Sequence, residues 1–400
     1  MPEARHLSSC RDGDVLLLVG TMKGVFLLKT DRRRASWEAA GPYFPGQAMY
    51  ALAYDGRAGR HRIWAGAESG HWGPALHSSD DFGRTWIEPT GPTVRFPEDG
   101  GLTLKRIWQI RPGGGSDPDT LYCGVEPAAL FVSRDAGTTW SLVTGLHDHP
   151  HRPRWEPGGG GLCLHTILPD PADSRRMRIA ISTGGVYRTD DGGATWRASN
   201  KGVRAEFLPE KYPEFGQCVH KVVQHPAQPA RLFLQNHWGL YRSDDGGENW
   251  IDIANGVPSD FGFAMVSHPH DPDTVYIVPL ESDAFRCTPE GKLRVYRTRN
   301  AGASWEPLRR GLPQKSAFET VLRDAMDADR LKPAGIYFGT RSGKVFASRD
   351  DGDAWKAIAE GLPPVVCVRA AVVGDAAAKM RPAKPRDTRA RPSRARRRAA

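Results

Sequence analysis

Two adjacent carboxylates, Asp190 and Asp191, sit in the stretch YRTDDGGATW. A close pair of acids is the minimum equipment for general acid–base chemistry, with one member protonated and the other ionised. Followed by two glycines, the same pair is also the raw material of a tight turn, because a short acid accepts hydrogen bonds from nearby backbone N–H groups. Other residues of useful type are scattered along the chain. Glu68, Glu126, Glu281 and Asp283 are candidate catalytic acids, and Arg106, Arg323 and Arg341 can grip a substrate carboxylate bidentately. His147, His149 and His151 in the run HDHPH, with His165, His220 and His237, are candidate ligands for a divalent metal. Which of them meet depends on the elements that carry them.

Those elements repeat. Anchored on a tryptophan, six further segments match YRTDDGGATW: HSSDDFGRTW, FVSRDAGTTW, YRSDDGGENW, YRTRNAGASW, FASRDDGDAW and a degraded LKTDRRRASW. The tryptophans fall at Trp37, Trp86, Trp140, Trp196, Trp250, Trp305 and Trp355. A recurrence of about 50 residues over nearly the whole chain signals a propeller or similar array. The shared pattern is Ser/Thr-x-Asp-x-Gly-x-Thr/Ser-Trp, with Asp81, Asp135, Asp191, Asp245, Asn300 and Asp350 at the acid position. The acid fixes a turn, the glycine supplies the positive φ that the turn needs, and the tryptophan starts the returning strand. Six copies of one catalytic dyad make little chemical sense, whereas six copies of one hairpin make a fold.

The pattern resembles the Asp-box, or BNR repeat, of sialidase-like β-propellers, and the resemblance covers roughly residues 15–373. It implies an all-β fold and marks architecture rather than activity. The Arg-Ile-Pro motif of sialidases is absent, and no tyrosine matches their nucleophile.

One blade reads LCLHTIL, turn, MRIAIST, a Gly-Gly link, VYRT, box turn, WRAS. The first blade has strands VLLLVGT and VFLLKT but no inner strand of its own, while PPVVCVRAAVV (363–373) is left over after the last box. The expected architecture is therefore a seven-bladed propeller of four-stranded antiparallel blades, with 363–373 completing the first blade and closing the ring. Residues 1–374 form this single domain. His225, His268 and His270 then fall in turns on the box side.

The opposite mouth gathers the starts of the inner strands and the links between second and third strands. There the sequence stops repeating and places Lys23, Glu68, His71, Trp72, Glu126, Asn236, His237, Trp238, Glu281, Asp283 and Arg341 around one rim. Lys105, Arg106, Trp108, His165, His220 and Lys221 belong to inner strands of the third to fifth blades. The interblade connections 141–161 and 197–217 exceed the length at which structureless loops are usually functional. Tryptophans beside carboxylates, guanidinium and imidazole suit a sugar or another polar ring. The leading expectation is a polar-ligand site for carbohydrate, an acidic small molecule or a protein partner. The alternatives are a sialidase-like glycoside hydrolase or lyase, and a histidine-rich metal site, with no other cofactor expected.

Net charge adds little about the body. Of a formal +9, the segment 375–400 contributes ten Lys/Arg against two Asp. Rich in Arg, Ala and Pro, this tail is expected to be disordered and is the one segment suited to nucleic acid. The start MPEARHLSSCRDGD has no apolar leader core and no run of about 18 apolar residues occurs, so a cytoplasmic, non-membrane protein is expected. Six cysteines without CxxC spacing read as reduced thiols.

Overall fold

A computed structural model describes residues 5–71, 73–88 and 93–374. Trp72 and the basic tail 375–400 lie outside the described residues. The strands form seven antiparallel sheets arranged as the blades of a propeller. The first blade takes its inner strand, Val365–Val372, from the far end of the chain; it pairs with Val15–Thr21 in the register Val15↔Val372 to Thr21↔Val365. Both partners are apolar at nearly every position because each blade is covered on two faces. Val15, Leu17 and Val19 pack towards the seventh blade, whereas Leu16 and Leu18 pack towards the second. Alternation of side chains along a strand makes one run serve two cores.

The repeated turn is held identically in six blades. The Ser/Thr hydroxyl donates to the acid or to Asn300 at 2.7–3.0 Å and accepts the glycine N–H at 2.8–2.9 Å. The acid accepts from the backbone N–H four residues on at 2.9–3.0 Å, rather than two as expected from isolated Asx-turns, because the hydroxyl already spans the intervening groups. The glycines Gly83, Gly137, Gly193, Gly247, Gly302 and Gly352 have φ between +85° and +96°, which excludes side chains at little cost only for glycine. Asp191 is thus committed to Thr189 and Thr195, which depress its pKa, foremost through the Thr195 hydroxyl. Asp190 instead pairs with Arg197 at 2.6 Å on the surface. The pair is a turn and a surface ion pair.

The contrast is measurable in the neighbouring blade. Asp245→Ala removes acceptors for Ser243, Asn249 N and the Asn249 amide, and is expected to lower unfolding free energy by about 1 kcal/mol. Asp244→Ala, which loses only exposed contacts to Arg231 and Arg242, is expected to stay within about 0.5 kcal/mol in the same urea titration.

Two blades depart from the expected unit. In the second blade the fourth strand shrinks to a single bridge, Ser78↔Ile87, so that sheet has three strands. In the first blade the degraded box gives its place to Arg34, which crosses to Asp329 at 2.9 Å and to Pro333 and Arg349 carbonyls, tying the first blade to the seventh.

Candidate functional site

Register decides which end each residue occupies. Leu164 pairs with Ile181 and Ile181 with Gly185 at one end of the fourth blade, while Pro169↔Met177↔Thr189 lies at the other, next to the Asp191 turn. Likewise Val219↔Asn236 lies opposite Leu232↔Ser243. The starts of inner strands and the second-to-third links therefore share the mouth away from the boxes. His225 and His268 sit in box-side turns, each accepting a backbone N–H two residues on through Nδ1 at 3.1 Å.

At the mouth, paired positions Arg106↔Glu126 begin the third blade, and Ala48↔Glu68 begin the second. Arg106 crosses between blades to grip Glu68, with Nε at 2.6 Å from Oε2 and a terminal nitrogen at 3.0 Å from Oε1. Its other terminal nitrogen lies 3.7 Å from Glu126 Oε2, which also accepts Trp108 Nε1–H at 3.0 Å. The guanidinium lies over Tyr50 at 4.4 Å and near the Trp108 ring at 5.3 Å, and the two rings are 5.0 Å apart. Burial acts to lower the Arg106 pKa, but Glu68 outweighs it and the net shift is upward. From the seventh blade, Arg323 reaches across the channel to within 5.2 Å of the Trp108 ring and 3.6 Å of Cys163 Sγ in the fourth blade. One side of the mouth is thus an aromatic floor crossed by two cations and fenced by two carboxylates.

Below it the channel is bridged by buried charge. Asp324 Oδ1 accepts from Lys221 Nζ at 2.7 Å and from Arg369 at 2.6 Å, joining the fifth and seventh blades to the closing strand. His165 is fully buried, with Nδ1 at 2.9 Å from Thr166 Oγ1 and Nε2 at 3.0 Å from the Val219 carbonyl. Burial, then the Arg323 charge, holds its pKa well below the ordinary histidine value. His165 and Lys221 therefore link blades and do not face the open mouth.

A second cluster lies across the mouth on the fifth blade. Cys218 precedes the Val219↔Asn236 rung and His237 follows it, with His237 N–H donating to the Cys218 carbonyl at 2.9 Å. Cys218 Sγ is 3.6 Å from His220 Nε2, and the ligand atoms of Cys218, His220 and His237 all lie within 4.8 Å of one another. Burial depresses the pKa of both His220 and His237. Asp283 Oδ2 stands 3.3 Å from His237 Nε2.

The remaining predicted residues are dispersed. His149 Nε2 meets the Trp196 carbonyl at 3.1 Å and His151 Nδ1 the Tyr187 hydroxyl at 3.0 Å, so with His147 they pack an interblade loop away from His165, His220 and His237. The six histidines are not gathered at one point, because HDHPH wraps the outer strands of the fourth blade. Asn236 is buried and donates to the Arg204 and Trp238 carbonyls, while the Trp238 ring packs at a tilt against Phe207 and His237. Arg341 and Glu281 are exposed, Glu281 beside Phe285 and Phe318 on the rim of the sixth blade. Sequence reasoning missed Tyr50, Cys218, Asp324 and Arg369. A usable signal existed for Arg369 alone: a single charge inside the otherwise apolar run VVCVRAAVV.

No family model matches the chain. It is 24% identical over 343 residues to the oligoxyloglucan-reducing end-specific xyloglucanase of Emericella nidulans, covering 76% of this chain and 39% of that protein. To a probable enzyme of that description from Neosartorya fischeri it is 27% identical over 202 residues, 48% of this chain and 20% of the relative. The chain spans less than two-fifths of these curated relatives. Among solved structures it is similar to the Niastella koreensis GH74 enzyme, with TM-score 0.55, 17% identity, and 89% of this chain and 53% of that one covered. It is also similar to YCF48 from Cyanidioschyzon merolae, with TM-score 0.53, 13% identity, and 78% and 85% covered. A Lactobacillus plantarum protein gives TM-score 0.57 at 15% identity, with 89% and 99% covered. At these identities the likeness is one of fold: the chain is a seven-bladed β-propeller with xyloglucanase-like sequence relatives.

Proposed function

We propose that the mouth over the second, third and seventh blades binds carbohydrate. The observation that carries this is Arg106, fixed by Glu68 and flanked by Glu126, lying on Tyr50 with Trp108 beside it. Sugar rings present apolar C–H faces and a periphery of hydroxyls. The hydroxyls are met by preorganised charged acceptors and donors, which the buried Trp108 and the half-buried Tyr50 hold in place. The xyloglucanase relatives support this ligand class, and the repeated turn supports a place among Asp-box propellers. Hydrolysis is the second reading, favoured by the names of those relatives. Against it, Glu68 and Glu126 are both committed to Arg106, and Glu126 also to Trp108, an arrangement of fixed acceptors rather than of a poised proton donor.

Isothermal titration with xyloglucan oligosaccharides is expected to show saturable binding. Trp108→Ala should weaken it at least about tenfold, a loss of about 1.4 kcal/mol, while Asp245→Ala on the box face leaves it unchanged. Incubation of the same samples, with reducing ends assayed, separates binding from cleavage: product that disappears in Glu126→Gln favours hydrolysis. Failure of xyloglucan, cello- and malto-oligosaccharides alike to bind or to raise the thermal midpoint sinks the carbohydrate reading.

A further inference from the structure

We propose that Cys218, His220 and His237 form a binding site for one thiophilic transition-metal ion, Zn²⁺ or Cu⁺, at the rim of the fifth blade. An ion bound at about 2.3 Å from sulfur and about 2.0–2.1 Å from nitrogen in tetrahedral geometry sets neighbouring ligand atoms about 3.5 Å apart. The Cys218 Sγ to His220 Nε2 separation is 3.6 Å. The third ligand atom lies within 4.8 Å of both.

The surroundings suit ligation. His220 Nδ1 donates to the Gly262 carbonyl at 2.6 Å, which fixes the tautomer and leaves the Nε2 lone pair turned to the thiol. Such an outer partner on the second ring nitrogen is the usual companion of a metal-bound histidine. Phe263 at 4.4 Å and Phe261 at 5.4 Å wall the ring, and Asp283 orients His237 through Nε2. The backbone contributes rigidity, since Cys218 and His237 bracket one rung of the sheet and are joined by a hydrogen bond. A thiolate with two imidazoles is a soft donor set, which selects zinc or cuprous copper over magnesium or calcium. The thiol proton leaves to solvent as the metal–sulfur bond forms, and no redox step is involved.

The test uses the full chain stripped by chelator. Zn²⁺ is titrated against a chromophoric competitor, Cu⁺ anaerobically against a cuprous chelator, and Co²⁺ as an optical probe. One equivalent per chain of zinc or of copper is expected, together with a thiolate-to-cobalt charge-transfer band. The two competitions identify the preferred ion. Cys218→Ser should abolish the band and His237→Ala the stoichiometric binding, while Asp283→Asn weakens affinity about 10–100-fold. Cys163→Ser is the control that retains both. Absence of stoichiometric binding for all three ions, or an unchanged band in Cys218→Ser, overturns the proposal. Oligosaccharide titration of the same variants keeps this outcome separate from the carbohydrate reading.

Discussion

Truncation after Leu362 is expected to abolish cooperative folding, whereas truncation after Gly374 leaves the thermal midpoint unchanged. The first cut removes Val365–Val372, whose Val365, Val366, Cys367, Val368 and Val372 are buried, and leaves the edge of Val15–Thr21 unpaired. At about 1.5–3 kcal/mol per buried valine, the apolar loss alone is on the order of 10 kcal/mol. That equals the whole stability of an ordinary domain, about 5–15 kcal/mol. It also strips Arg369 from Asp324 and uncovers the packed faces of the first and seventh blades. A chain without this strand has a three-stranded first blade with a raw inner edge. Circular dichroism melts decide the matter: a truncated chain that melts within a few degrees of the parent refutes closure as the source of stability. A permutant that moves 363–374 in front of Gly13 provides the positive control. Gly13 N–H already donates to the Val373 carbonyl at 2.7 Å and Val373 N–H to the Asp14 carbonyl at 2.8 Å, so a short hairpin can replace the closure and should restore the transition.

How much of this was legible in the sequence depends on periodicity. The seven tryptophan-anchored turns give blade number, strand order and the end of the ring on which each residue sits, because alternating strand direction follows from counting. The closing strand was legible for the same reason, as an apolar run without a box. The mouth was readable only to the level of which loops line it. Arg106, Glu68, Glu126, Trp108 and Arg323 were each foreseeable as rim residues, but their convergence arises because Arg323 of the seventh blade reaches across a narrow channel to the third. No one-dimensional pattern encodes that span. The histidines show the converse. Six looked equivalent in sequence, yet of these only His220 and His237 bring ligand atoms within 4.8 Å of each other and of Cys218, while His149 and His151 follow an interblade loop outward to Trp196 and Tyr187. Cys218 escaped notice because a lone cysteine before an apolar strand reads as a core thiol.

Asp324→Ala is expected to cost about 3–5 kcal/mol of unfolding free energy, the range for removing one partner of a buried ion pair. Among the described residues Asp324 is the carboxylate that both Lys221 and Arg369 contact, at 2.7 and 2.6 Å, and it is 3% exposed, with Lys221 and Arg369 mostly covered. Its loss leaves two buried cations facing each other. Lys221→Met, by contrast, leaves the Asp324–Arg369 pair balanced and should cost far less, so the order of the two variants tests charge balance rather than packing. The pH dependence fixes the sign. Burial acts to raise the Asp324 pKa, but the Lys221 and Arg369 charges overcome it and hold the carboxyl well below the usual range. A depressed folded-state pKa contributes stability above the unfolded value of about 3.9, and that contribution is lost as pH falls through this value towards the folded one. Urea midpoints of the parent and of Asp324→Asn should therefore differ by a constant amount above about pH 5 and converge in more acid solution. A difference that stays constant down to pH 3 would assign the loss to altered hydrogen-bond geometry around the amide, because that does not titrate, whereas a buried carboxylate shared by two blades and the closing strand does.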